Sequence, residues 1–309
     1  MGINICGAPC CWGVDDINNP YLPSWQRVLR EAHEAGYRAI ELGPNGWIPT
    51  DDIEMVSEEL RKNELSIVAG TIFDDCLTEE NYPKLVEQVH GICKLITKLP
   101  PLPREEGQRY ATPYLTMMDW GHDNRDYTAG HSDRAERLND ADWKRMMDHF
   151  RGLCDIANSY GVRPVIHPHC GGNVEFADEI DRLAADIPSD VAGLVLDTGH
   201  LHYGGMDPVT WLRKYQDRLD YVHFKDIDGK VFDEVMHEHI RFFEGCAKGS
   251  MCPIGTGILD YAAIRDVLEE IHYNGYITIE QECDPRNVEK SLANVKASVA
   301  FLKSIGFQI

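Results

Sequence analysis

Short apolar runs alternate with amphipathic segments about eight times along the chain. The runs are rich in Val, Ile and Leu, which is typical of parallel strands that are buried on both faces. The eight predicted strands are Ile3–Ala8, Arg38–Leu42, Leu65–Gly70, Tyr114–Met118, Arg163–His167, Gly193–Asp197, Leu219–Lys225 and Tyr276–Glu282.

The segments between these runs predict helices with recognisable ends. The helix predicted for Trp25–Ala35 is followed by Gly36, a residue type that commonly ends helices. Asp207 followed by Pro208 predicts a capped helix start, and Asn287–Lys303 predicts the closing helix. Eight strand–helix units favour an α/β fold, a single (β/α)₈ TIM barrel formed by residues 1–309 as one domain. The alternative, an open doubly wound sheet, lacks its Gly-x-Gly-x-x-Gly turn after the first strand.

Two of the predicted connections are long, residues 119–139 after the fourth strand and 226–259 after the seventh. Both follow the carboxyl ends of strands, the face on which barrel enzymes place their active sites. Within the first connection, residues 120–130 are polar and aromatic. This segment fits either a lid over that face or a plain solvated loop.

The charge balance narrows the range of partners. The chain has 30 Lys and Arg against 51 Asp and Glu, a formal net charge of −21. Such a surface repels phosphate backbones and anionic lipids, so we expect no nucleic-acid and no membrane partner. The N-terminus does not resemble a signal peptide, and no apolar run is long enough to span a bilayer. The ten cysteines form no Cys-x-x-Cys pair, which indicates free thiols in a reducing, cytoplasmic compartment.

Polar residues stand at the ends of four consecutive predicted strands: His167, Asp197, His223 and Glu280. Buried ionisable groups are costly unless they are paired or bind a metal. The carboxyl ends of barrel strands converge, so these side chains predict a site of two imidazoles and two carboxylates. That donor set suits a divalent transition metal, Mn²⁺ first, with Co²⁺, Fe²⁺ or Zn²⁺ as alternatives. A hydrogen-bonded core position is the alternative for any one of them taken alone.

Several motifs resemble those of the sugar phosphate isomerase/epimerase superfamily, the xylose isomerase-like TIM barrels. They are Asp197-Thr-Gly-His200, Val222-His223-Phe-Lys225-Asp226 and Gly255-Thr-Gly257-Ile-Leu-Asp260. Within it, four stretches resemble the inosose (2-keto-myo-inositol) dehydratase group. They are Ala8-Pro9-Cys-Cys-Trp12-Gly13, Ile40-Glu41-Leu42-Gly43-Pro44, His167-Pro-His169-Cys-Gly-Gly-Asn-Val-Glu175 and Glu280-Gln-Glu282-Cys-Asp284-Pro285.

This resemblance implies one divalent metal held by the ends of strands five to eight, usually through Glu, Asp, His and Glu. Asp197, His223 and Glu280 match the last three positions, whereas His167 stands where the epimerases carry Glu. The epimerases use their first and last ligand glutamates as a pair of acid/base groups. An imidazole that binds metal is a poor proton acceptor, so this departure favours lyase chemistry over two-base epimerisation.

The resemblance also assigns roles around the metal. Glu280 is the candidate base, and His169 is the candidate acid or second base, or alternatively a hydrogen-bond partner behind the ligands. Lys225 is the candidate group that holds the substrate oxygen, or alternatively an ion-pair partner of Asp226 or Glu41. Candidate substrate-binding residues are Trp12, Glu41 and His200, with core packing as the alternative for Trp12 and with orienting Asp197 as the alternative for His200.

Three functions follow from these observations. The first is a dehydratase that acts on a keto-polyol such as 2-keto-myo-inositol through a metal-bound enolate. The second is a keto-sugar isomerase or epimerase, or a lyase for an oxidised (3-keto) glycoside, with the same metal site. The third is a barrel without catalytic activity, serving as a partner subunit. A small keto-sugar or keto-polyol is the expected partner, and assembly into a homo-oligomer is compatible with the sequence. A phosphorylated substrate is disfavoured because the sequence has no phosphate-binding Gly-rich loop.

Overall fold

The computed structural model describes residues 2–307, over which eleven strands and twelve α-helices follow one another. The strands are β1 (Ile3–Gly7), β2 (Ala39–Ile40), β3 (Ser66–Ile67), β4 (Ala69–Asp74), β5 (Tyr114–Asp119), β6 (Arg163–Ile166), β7 (Gly193–Asp197), β8 (Leu219–Phe224), β9 (Asp226–Ile227), β10 (Met251–Cys252) and β11 (Gly275–Ile279). The helices are α1 (Trp25–Ala35), α2 (Ile53–Lys62), α3 (Tyr82–Ile96), α4 (Asp123–Tyr127), α5 (Asp140–Ser159), α6 (Ala177–Asp186), α7 (Thr198–Tyr203), α8 (Pro208–Lys214), α9 (Gly229–Glu238), α10 (Phe242–Lys248), α11 (Tyr261–Glu270) and α12 (Ser291–Ser304).

Nine of the strands form one parallel sheet in the order β3-β2-β1-β11-β8-β7-β6-β5-β4. The two end strands, β3 and β4, are separated along the chain only by Val68. Val68 donates its N–H to Ile40 O (3.0 Å) and accepts the N–H of Tyr114 (3.0 Å), so it belongs to both edges. The sheet therefore closes into a barrel of eight strand positions, called staves below, in which β3 and β4 together form one stave. The prediction of a TIM barrel is confirmed.

Two of the predicted helix ends are present in the structure, whereas the closing helix begins at Ser291 and not at Asn287, which lies in a 3₁₀ turn. Helix α1 ends at Gly36, whose φ of 103° is left-handed and whose N–H binds Ala32 O and His33 O. Asp207 accepts the N–H of Thr210 (2.8 Å) at the start of α8. In these two helices, backbone groups at the described end that lack a partner within the regular helix are thus hydrogen-bonded.

The third stave was predicted to end at Gly70, but β4 continues to Asp74. A Cβ added to Gly70 would lie 2.3 Å from Ile92 Cγ2 on α3, so this glycine is needed for close packing of α3. It does not break the strand. The four extra residues bring Phe73 to the carboxyl-terminal end of the barrel.

The two long connections contain structure of their own. Residues 119–139 include α4, and residues 226–259 include α9, α10 and the antiparallel pair β9–β10. These segments bury a separate small apolar cluster. Its fully or nearly buried members are Ala129, Cys170, Tyr203, Ile227, Val235, Phe242, Cys246 and Met251. Burial of this cluster holds both connections down on the carboxyl-terminal face of the barrel.

Two further apolar layers support that face from below. One fills the barrel interior and includes Cys6, Val68, Tyr114, Val195 and Tyr221. The other, much larger, lies between the strands and the surrounding helices. No helix within residues 2–307 has the length and apolar character needed to cross a bilayer.

Candidate metal centre and cleft

The four predicted ligands come from four neighbouring staves. His167 directly follows β6, Asp197 ends β7, His223 lies in β8, and Glu280 directly follows β11. Asp197 and His223 are paired in register across β7 and β8. One donor atom from each of the four residues lies within 4.8 Å of the others. The barrel therefore brings the predicted set together at its carboxyl-terminal end.

Three of these four residues have a buried donor atom without a hydrogen-bond partner among the described residues: His167 Nε2, Asp197 Oδ2 and His223 Nδ1. His167 Nδ1 donates to Pro168 O (2.7 Å), which leaves a lone pair on Nε2, 4.0 Å from Asp197 Oδ2. Among the described residues, neither of these two buried atoms has a hydrogen-bond partner. His223 Nδ1 lies 3.2 Å from Glu280 Oε2. Buried, unpaired nitrogen and oxygen donors that converge on one point fit a divalent transition metal.

Glu41 lies behind His223, inside the barrel, where its side chain is only 5% exposed. Its Oε1 is 2.9 Å from His223 Nε2 and accepts the hydroxyl of Tyr221 (2.7 Å). Burial lowers the pKa of His223, but the nearby carboxylates of Glu280 and Glu41 outweigh it and raise the pKa to about 10. The structure thus places Glu41 against His223, a predicted ligand, rather than on the floor of the substrate pocket.

Lys225 lies at the centre of a group of carboxylates and is fully buried. Its Nζ is 3.5 Å from Asp197 Oδ2 and 3.2 Å from Glu280 Oε2, and it also donates to Glu282. Burial alone would lower the pKa of Lys225, but these carboxylates raise it, so the ammonium stays charged. Neither Asp226 nor Glu41, the alternative partners considered from the sequence, is among these neighbours.

The other two histidines of the site are also buried. His169 Nδ1 donates to Cys170 O (2.8 Å), which leaves the lone pair on Nε2, and its ring centroid is 4.0 Å from that of His200. Burial and the charge of Lys225 lower the pKa of His169 to about 3, so its ring is neutral. The backbone N–H of His200 donates to Asp197 Oδ1 (2.8 Å), which orients that carboxylate.

The polar contact of Trp12 is with α1, not with the metal centre. Trp12 is fully buried, and its indole N–H donates to Glu31 Oε2 (2.7 Å) on α1. Its position matches the core-packing alternative, not the predicted contact with substrate.

A cleft of about 1150 Å³ opens above the metal centre. One wall is aromatic and includes Phe73, Trp120 and Phe243, with the rings of Trp120 and Phe243 5.1 Å apart. The opposite wall includes Asp15 and Glu282. None of the predicted site residues lines the cleft itself. Glu282 lines the cleft, and Glu280, at 13% exposure, is the most exposed of the four predicted ligands.

Two residues of this region were not assigned a role from the sequence. Glu282 pairs with Lys225, and the two-residue spacing from Glu280 already placed both carboxylates on one face of the strand. Asp15 lies in the connection after β1, where no spacing rule indicated its direction. Burial, followed by the charge of Glu282, raises the pKa of Asp15.

Residues 29–305 match the model of the xylose isomerase-like TIM barrels. The chain belongs to this family. A protein named inosose dehydratase from Geobacillus kaustophilus is 32% identical over 288 residues, which cover 90% of this chain and 87% of that protein. Another from Clostridium beijerinckii is 35% identical and covers 99% of this chain and 97% of that protein.

Solved structures agree on the fold. The IolI protein with a bound zinc atom has a TM-score of 0.71 at 16% identity, with 99% of this chain and all of that chain covered. A probable 3-DHS dehydratase from Bacillus anthracis, AsbF, has a TM-score of 0.69 at 14% identity, with coverages of 97% and 98%. At these identities the likeness concerns the barrel alone.

Proposed function

We propose that this protein is a divalent-metal-dependent dehydratase for a keto-polyol of the 2-keto-myo-inositol type. The observation that carries the proposal is the converging set His167, Asp197, His223 and Glu280, in which the first three each have a buried donor atom without a hydrogen-bond partner among the described residues. The full-length relatives named inosose dehydratase support the substrate. We further propose Mn²⁺ as the native metal, one domain over residues 1–309, and a cytoplasmic location.

A metal bound by these four residues would supply a Lewis acid that polarises the ketone of the substrate. Glu280 and the free Nε2 of His169 are the groups placed to remove the proton from the carbon next to that ketone. The ammonium of Lys225 stabilises negative charge that develops on the substrate oxygen. The group that has taken this proton, Glu280 or His169, then gives it to the hydroxyl on the neighbouring carbon, which leaves as water. The C–H and C–O bonds break, and a C=C bond conjugated to the ketone forms.

Incubation with 2-keto-myo-inositol in D₂O tests this proposal. A dehydratase produces an unsaturated ketone, or the diketone to which it tautomerises, and the product absorbs in the ultraviolet. His169→Ala and Glu280→Gln should each slow turnover by about 10²–10⁴-fold. His169→Ala should do so at unchanged metal content, because we place His169 outside the ligand set. Absence of both water loss and deuterium exchange, with metal bound, would favour a partner subunit without activity.

The size of the cleft favours a second candidate, an epimerase or lyase for an oxidised (3-keto) glycoside. At about 1150 Å³ the cleft exceeds the range of roughly 300–1,000 Å³ in which drug-sized ligands bind, so it has room for more than one six-membered ring. The same incubation separates the candidates. An epimerase incorporates deuterium into a 3-keto-glucoside without losing water, and a glycoside lyase releases the aglycone.

A further inference from the structure

The turn that follows β6 carries His169 and is closed by its own backbone. His169 N–H donates to Val174 O (2.9 Å), and Gly172 N–H donates to His169 O (3.1 Å). Within the turn, Cys170 O accepts His169 Nδ1, and Cys170 N–H donates to His200 Nδ1 (3.2 Å). The carbonyl of Cys170 therefore sets the orientation of the His169 imidazole, and any shift of this turn moves His169.

Two buried carboxylates hold this turn from outside. Asp119 Oδ2, at the end of β5, accepts both the backbone N–H (2.8 Å) and the side-chain amide (3.0 Å) of Asn173. Glu175 Oε2 accepts the N–H of Gly171 (3.0 Å), directly after Cys170. Asp119 and Glu175 are 3% and 2% exposed, and neither lines the cleft.

The second oxygen of each carboxylate reaches a different connection. Asp119 Oδ1 accepts the N–H of Cys76 (3.0 Å), after β4. Glu175 Oε1 accepts the N–H of Gly130 (2.6 Å), after β5, and Arg125 on α4 lies 3.6 Å from Glu175 Oε2. The connections after β4 and β5 are thus both tied to the turn after β6 that carries His169.

We propose that Glu175 and Asp119 are positioning residues that hold His169 as a single tautomer, with its Nε2 lone pair available for proton transfer. A carboxylate that accepts two backbone N–H groups holds a turn more firmly than a single hydrogen bond would. Each of these buried N–H groups would otherwise have no acceptor. The role of Glu175 and Asp119 in catalysis rests on the proposed function, whereas their effect on the tautomer of His169 does not.

Glu175→Gln is the variant that tests the inference. Its amide has one acceptor oxygen, so it cannot hold Gly130 and Gly171 as the carboxylate does. Glu179→Gln is the matched control. Glu179 binds the same arginine through Arg125 Nη1 (2.5 Å) and Nη2 (3.0 Å), but its hydrogen bonds do not include Gly171. Glu179 Oε2 also accepts the backbone N–H groups of Glu175 (3.0 Å) and Phe176 (3.0 Å), and the side-chain oxygen of Gln can accept both in its place. The control therefore weakens the same buried ion pair and keeps the carboxylate of Glu175 that binds Gly171.

The primary readout is the ¹⁵N spectrum of the histidine side chains in the zinc-loaded protein, with the His169 signals identified by their loss in His169→Asn. We expect one tautomer, with hydrogen on Nδ1, in the unmodified chain and in Glu179→Gln, and a mixture in Glu175→Gln. We also expect a kcat about 10- to 100-fold lower in Glu175→Gln, with KM changed less than about threefold, because a displaced catalytic group costs rate more than binding.

An unchanged His169 spectrum in Glu175→Gln, or the same change in Glu179→Gln, would overturn the inference. The spectrum needs no substrate, so it still decides the inference if 2-keto-myo-inositol proves not to be turned over. If Glu175→Gln does not fold, Asp119→Asn is measured in the same way. This variant removes an acceptor at the other end of the turn. An unaltered His169 tautomer in Asp119→Asn would also count against the inference.

Discussion

Glu41 Oε1 lies 2.9 Å from His223 Nε2, on the side of the imidazole opposite to Nδ1, which faces Glu280. This carboxylate fixes the ring orientation and makes the nitrogen that faces the metal centre a stronger donor. Tyr221 in turn donates its hydroxyl to Glu41. Glu41 and Tyr221 thus hold His223 in place from inside the barrel.

We expect Glu41→Gln to lower the affinity for the metal about 10- to 100-fold, since it removes the negative charge behind His223. Competition with a chelator of known affinity measures the change. Tyr221→Phe is the control, because it removes a contact to Glu41 and leaves the contact between Glu41 and His223. Equal affinities in the unmodified chain and Glu41→Gln would show that His223 does not depend on Glu41.

The barrel and its four converging residues were predictable from the sequence, because strand periodicity and the common direction of parallel strands determine both. The direction in which a single side chain points was not predictable in the same way. Trp12 and Glu41 stand in motif stretches at strand ends, yet Trp12 turns to α1 and Glu41 turns inward to His223. Likewise, Gly70 suggested a strand end, whereas it is required by the approach of α3. Such orientations depend on contacts with residues that are far away in the sequence.

We expect His167→Ala and Asp197→Ala each to reduce the bound metal well below one per chain, because each removes one of four ligands. Elemental analysis after dialysis measures this content. His122→Ala is the control: His122 belongs to a second cluster with Asp75 and Asp119, whose carboxylates accept backbone N–H groups. Full occupancy in both ligand variants would mean that other residues hold the metal.

Lys225 balances Asp197, Glu280 and Glu282 in a fully buried position. Lys225→Met leaves these carboxylates without their cation, and we expect a loss of about 3–5 kcal/mol in the free energy of unfolding of the metal-free protein. Denaturant titration measures it. Adding Glu282→Gln to Lys225→Met should recover part of the loss, because it removes one uncompensated charge. A double variant as unstable as the single one would argue against charge balance as the cause.

Trp12→Phe separates packing from substrate binding. It removes the bond from the indole N–H to the buried Glu31, so we expect the free energy of unfolding to fall by about 1–3 kcal/mol. We expect kcat and KM to change less than twofold, since the indole N–H of Trp12 binds Glu31 on α1 rather than a residue of the candidate site. Trp120→Phe, in the aromatic wall, should show the reverse pattern of a raised KM at nearly unchanged stability. A large rise of KM in Trp12→Phe would return Trp12 to the substrate site.

The thiols should be nearly inert in the folded protein, although all ten cysteines are free. Cys283 is the least buried of them and lines the cleft. Burial, and then the proximity of Cys11, raises the pKa of the Cys283 thiol to about 12.

At pH 8 an ordinary thiol with a pKa of about 8.5 is roughly a quarter thiolate, the reactive form. With a pKa of about 12 that fraction falls to about 10⁻⁴, so alkylation of the native protein by iodoacetamide should be at least about 10³-fold slower than in guanidinium, where all ten thiols react. The native rate should rise about tenfold per pH unit from pH 8, because each unit multiplies the thiolate fraction by ten. A single thiol that reacts in the native protein at the unfolded rate, with no such rise, would show that the cleft stabilises a thiolate at Cys283.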